Sequence, residues 1–190
     1  MGKSYSYTDI ISEYTKALQR IDELTQAPED LFLLKPDSNT WSANEIFNHL
    51  RRFNNLYIRS IDQIEKGSND KTVKNAEFKP SLPARVIIKI MEPPYKLKIP
   101  TLAPMYPKAS AETGMQSTTM ELRETNTMVI ELLHELKSNS ADLDKIKGRH
   151  PVFKFLPMSL TDLFLVMSSH QRRHLWQAEQ TLHRLSGKHY

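Results

Sequence analysis

An all-α fold is what this sequence predicts: a four-helix bundle with a long crossover connection between its second and third helices. Three observations carry that expectation. Four segments place apolar residues at the helical period of 3.6. Their ends carry capping and stop residues. Seven of the eleven prolines gather between the second and third segments, at Pro80, Pro83, Pro93, Pro94, Pro100, Pro104 and Pro107. The 190 residues suit one domain, 1–190, with a Pro-rich basic crossover over 68–110 inside it.

The first segment runs from about Tyr7 to Thr25, with Ile10, Ile11, Tyr14, Ala17, Leu18, Ile21 and Leu24 on its stripe, and Pro28 ends it. The second opens on Ser42-Ala43-Asn44-Glu45, a capping box in which the serine oxygen takes the N3 amide and the glutamate reaches back. Trp41 precedes it, placed to staple onto Ile46. Its stripe continues through Leu50, Phe53, Tyr57, Ile61 and Ile64 to Gly67, read as a C′ stop. The third spans about Ala111 to Lys137, carried by Met115, Leu122, Val129, Leu132, Leu133 and Leu136. The fourth starts after Pro157, with Ser159 as cap and Asp162 in the first turn, and runs to about Leu185 before Gly187. A structureless loop of more than forty residues does not suit a compact domain, so Arg85–Met91 is expected to form a short helix or strand packed on the bundle. Periodicity does not decide which.

Composition excludes several function classes. Cysteine is absent, which removes disulfides, thiolate metal sites and cysteine nucleophiles and fits a reducing, cytoplasmic location. No GxGxxG or GxxxxGK[ST] occurs, so dinucleotide and P-loop chemistry are not expected. No apolar run reaches 18 residues, and Met1–Asp9 lacks an apolar core, so neither a membrane span nor a secretory signal is expected. The net charge of +4 comes from one stretch: Ser68–Ser110 holds eight basic and three acidic residues. These are spread out rather than clustered on one helix, which favours a solvated connection over a nucleic-acid surface.

Position sorts the seven histidines. His189 is in the tail, His150 precedes Pro151 in a loop, His134 lies off the third stripe, and His183 is half a turn round from His174. All four are expected at the surface. The inward stripe of the fourth segment reads Leu163, Met167, His170, His174, Ala178, Thr181, Leu185. Two imidazoles at i and i+4 on one face can share a metal ion. His49, three residues after Ile46 and four before Phe53, also points inward. Spacing leaves two readings open: one metal site, or three core histidines satisfied by hydrogen bonds.

Trp41-Ser42-Ala43-Asn44-Glu45-Ile46 followed by His49-Leu50 resembles the W-S-x-x-E-I-x-x-H-L opening of the second helix in the DinB/YfiT-like superfamily. His150-Pro151 through Phe153, Leu156 and Ser159 to His170-Gln171-Arg172-Arg173-His174-Leu175-Trp176-Gln177 resembles that superfamily's last helix, where H-x-x-x-H and H-x-x-R-H-x-x-Q recur. The resemblance covers nearly the whole chain. It implies a bundle in which His49, His170 and His174 bind one divalent metal ion, often zinc or nickel. It also implies a small-molecule substrate, with activity as a hydrolase or as a transferase using a low-molecular-weight thiol, and pairing into a homodimer. Leu175 and Trp176, beside the inward stripe, fit either a partner surface or a wide core. Two departures stand out: Lys154 where many relatives place glycine, and residues 80–108, which match nothing in the family and are where substrate contacts are expected.

Three neutral histidines leave the charge of a divalent ion uncompensated and at least one coordination position open, the layout of a catalytic centre. Neutral imidazoles are required, so affinity is expected to fall as pH drops through about 6.5. Glu45, one turn before His49, is a candidate general base, although its capping role accounts for it equally well. Arg173 is rotated off the ligand face, suited to a salt bridge or to a rim contact with an anionic substrate. Gln177, three residues past His174, is a candidate to orient that ligand. The competing class is a non-catalytic helical binding module whose metal is structural or absent.

Overall fold

The computed structural model describes residues 3–67, 77–94, 106 and 114–187. In chain order these hold α1 (Tyr7–Leu24), α2 (Glu29–Leu33), α3 (Ala43–Lys66), α4 (Leu82–Met91), α5 (Met115–Ser138), β1 (Lys147–Arg149), β2 (Pro157–Ser159) and α6 (Leu160–Ser186). The four long helices are those the periodicity marks out. The all-α expectation holds, with one small antiparallel ribbon, β1–β2, added to it.

Local chemistry sets the helix starts. The capping box expected at Ser42 and Glu45 is present, and so is a second at Ser159 and Asp162 and a third at Ser6 and Asp9. Each satisfies orphan amides that a helix N-terminus leaves exposed. The two glycine stops differ. Gly187 is left-handed, at φ 69°, whereas Gly67 is right-handed, at φ −81°, and its amide still bonds to Gln63 like a helical residue. The C′ geometry expected at Gly67 is therefore not adopted.

α1 packs on α5 and α6, and α3 packs on the same two helices, giving a ring of four. Cross-contacts fix the directions. Arg51 meets Glu121 and Asn54 meets Thr125, so α3 and α5 run parallel. Tyr14 bonds Phe164 and Arg20 pairs with Glu179, so α1 and α6 run parallel too. His49 against His174 and Phe53 against His170 make α3 and α6 antiparallel. The order is up, down, down, up. Because α3 and α5 point the same way, the chain between them must travel back along the bundle, and this is why the crossover is long. Of the expected 68–110 crossover, residues 77–94 and 106 are described.

Several expectations are refined. Arg85–Met91 lies within helix α4, capped by Ser81 with a proline in its first turn, and it packs on α6. Pro28, read as a stop, also starts α2. The helix expected from Ala111 begins at Met115, with 111–113 outside the described residues. β1 reads Lys-Gly-Arg, with no apolar alternation for a sequence pattern to detect. The single inward stripe expected for α6 understates it: Leu160–Gln171 is buried on every side, because α1, α3 and α4 all cover it. Leu175 belongs to the core and Trp176 beside it is half-buried.

Candidate metal centre

α3 and α6 bring the three inward histidines together at mid-height in the bundle. His49, His170 and His174 are all buried, and one ligand atom from each lies within 4.8 Å of the others. Their ring centroids are 4.4 to 5.2 Å apart. The Nε2 atoms of His49 and His170 face each other at 3.4 Å. A tetrahedral zinc site with bonds of about 2.0–2.1 Å sets its ligand nitrogens about 3.3 Å apart. The facing pair therefore already has the spacing that a shared ion needs.

Neighbouring side chains orient each ring. Phe53 stacks on His170 with centroids 3.6 Å apart and planes 11° from parallel. His174 donates from Nδ1 to Gln177 Oε1 at 2.9 Å, which fixes that tautomer and leaves the Nε2 lone pair free. Trp41 lies 5.3 Å from the His49 ring and 6.2 Å from Tyr106, a crossover residue whose carbonyl accepts from Arg52. Phe53, Trp41 and Tyr106 were not singled out for the site. Phe53 and Trp41 were legible only as stripe and staple residues, and Tyr106 gives no signal in its local sequence.

The electrostatics favour neutral rings. Burial holds His170 well below the usual histidine range, and the neighbouring His174, His49 and Arg173 push the same way. His174 is lowered by burial first, then by His49 and Arg173, while its bond to Gln177 opposes. Protonation of these two rings thus begins at lower pH than the ordinary histidine value of about 6.5.

The remaining candidates sit as follows. Glu45 is buried. One oxygen accepts the Ser42 amide at 3.0 Å and the other pairs with Lys35 at 2.9 Å, so both are engaged in starting α3. Arg173 is buried and donates to the carbonyl of Ile90 at 3.2 Å, while Arg172 pairs with Glu13 and Glu92. The two arginines between His170 and His174 therefore tie α4 and α1 to α6. His134 is exposed and His183 half-exposed, as expected, and His189 lies outside the described residues.

His150 corrects its surface expectation. It is buried, its Nδ1 accepts from the amides of Val152 and Phe153, and its Nε2 meets the Tyr57 hydroxyl at 2.8 Å. The loop placement was right; the turn folding back over the bundle end is what buries it. Burial lowers its pKa to about 4.

A comparison with protein families matches residues 13–178 to the DinB superfamily. The chain belongs to the DinB superfamily. Residues 13–178 contain all three clustered histidines and all four long helices except the N-terminal turns of α1 and the last turns of α6. No match is found among curated proteins or among solved structures. Among the described residues no helix is long and apolar enough to cross a membrane.

Proposed function

We propose that this DinB-superfamily chain is a metal-dependent enzyme in which His49, His170 and His174 hold one divalent transition-metal ion, zinc or nickel. It acts on a small electrophilic molecule as a hydrolase or as a low-molecular-weight-thiol S-transferase. The observation that carries the reading is the convergence of three buried imidazoles within 4.8 Å. Bound there, a divalent ion supplies Lewis acidity, lowering the pKa of a water or thiol at its open position. The chain's own residues do the rest. Gln177 holds the His174 tautomer, Phe53 fixes the plane of His170, and Trp41 walls the outer side of His49. Burial excludes bulk solvent from the rings and disfavours protonation of His170 and His174.

The test is tag-free protein analysed for bound metal, then thermal unfolding with chelator and with zinc or nickel. Binding to the folded state at a hundredfold excess over Kd adds about 2.7 kcal/mol, a rise of several degrees in Tm for a chain of this size. His174→Ala removes that rise, whereas His183→Ala, on the opposite face of α6, keeps it. Equal responses in both variants would refute the triad. Loss of the rise in His174→Ala, together with no turnover in a screen of thiols and electrophiles, would leave a structural metal and refute the enzyme.

A further inference from the structure

The apolar core is not continuous. One cluster contains Tyr14, Tyr57, Val129 and Met167; the other contains Ala17, Leu50, Leu122 and Leu175. On every helix of the ring the break falls at the same height. Asn54 sits on α3 just past the break between Leu50 and Phe53, Thr125 and Asn126 lie between Leu122 and Val129 on α5, and Gln171 lies between Met167 and Leu175 on α6. α1 passes this level between Tyr14 and the small Ala17. Asn54, Asn126 and Gln171 are all 0% exposed.

Their hydrogen bonds do not account for them. Asn54 reaches Thr125 Oγ1 only at 3.5 Å, and Asn126 donates to the Leu122 carbonyl at 2.8 Å. Asn54 Oδ1, Asn126 Oδ1 and both polar atoms of Gln171 have no partner among the described residues. A buried amide left unpaired is costly, and four such atoms at one level need a common explanation. They comprise three acceptors and one donor. A cation could satisfy the oxygens but would be repelled by the Gln171 amide protons, and none of these three side chains carries a negative charge. Water both donates and accepts, and it typically makes about three bonds in such places.

We propose that this level of the bundle core encloses a small cluster of bound water, held by Asn54, Asn126 and Gln171. The layer lies at the same height as the histidine cluster, where Gln171 directly follows His170 in α6. The inference stands independently of any metal.

Oxygen-17 and deuteron magnetic relaxation dispersion on the chelator-treated protein detects long-lived internal water directly. The expected result is a dispersion amplitude that falls in Gln171→Met and in Asn126→Leu, two near-isosteric changes, either of which suffices if the other fails to fold. A lower Tm for Gln171→Met accompanies it, because the remaining amides lose water partners. No dispersion in the parent, or full amplitude retained in a folded variant, overturns the proposal. So does a higher Tm for Gln171→Met, the result expected if the amide were dry and unpaired. A Tm that depends on potassium when choline replaces it would assign the layer to an ion and overturn the water reading.

Discussion

His150 should make the protein lose stability in mild acid, in a window the structure defines. Its Nδ1 accepts two backbone amides, so that nitrogen has no proton in the folded state. Protonation would turn an acceptor facing two N–H groups into a donor, and burial opposes the charge as well. The folded pKa lies at about 4, against about 6.5 in the unfolded chain. Above pH 6.5 both states are neutral and the group costs nothing. As pH falls from 6.5 toward 4, the unfolded chain takes up a proton that the folded one refuses, and stability drops by up to about 1.4 kcal/mol per pH unit. Across the window the ceiling is about 3 kcal/mol, less whatever solvent screens at the turn. The assay is urea unfolding with chelator present, at half-unit steps from pH 7.5 to 4, on the parent and on His150→Gln. His170 and His174 titrate in the same sense in both proteins, so the difference between the two curves isolates His150. The variant should start less stable, having lost the contact to Tyr57, and should show a shallower decline. Parallel curves would refute the reasoning.

Other changes have equally definite outcomes. Gly148→Ala would drive a Cβ into Ile64 Cδ1 and Cγ1, costing about 1–3 kcal/mol by overpacking; thermal unfolding should show the loss, and Ile64→Ala in the same chain should recover part of it. Asp162→Ala should cost more than Ser159→Ala, a cap loss of about 1 kcal/mol, because Asp162 also accepts the Ser81 amide that starts α4; denaturant midpoints compare the two. Gln177→Leu should weaken zinc binding by about tenfold or more in a competition titration with a colorimetric chelator, since His174 Nδ1 loses its acceptor.

How much of this was legible depended on the range over which each signal acts. Capping boxes and apolar stripes operate within one or two helical turns, so α1, α3, α5 and α6 could be read from the chain to within a few residues. The three histidines were legible for the same reason: each occupies a stripe position, and stripes meet in a bundle. What escaped depends on contacts between distant segments. His150 looked like a loop residue because its burial comes from a hydroxyl on α3, 93 residues away. The polar level escaped because Asn54, Asn126 and Gln171 are unremarkable one at a time; only the parallel pairing of α3 with α5 aligns the first two. Of residues 80–108, where substrate contacts were expected, 95–105, 107 and 108 lie outside the described residues.

The up-down-down-up order has a consequence for how the chain could be divided. A single cut between α4 and α5 yields one piece with α1, α3 and α4 and another with α5 and α6. Neither piece keeps a helix with both of its ring neighbours, since α1 and α3 each pack on the two helices of the other piece. The histidines divide in the same way, His49 on the first piece and His170 with His174 on the second. Reassembly of the two pieces would therefore bury both apolar clusters and complete the triad in one step. On the proposed metal site, an ion added to such a mixture would act as a thermodynamic clasp, with the affinity between the pieces tracking the free concentration of the ion.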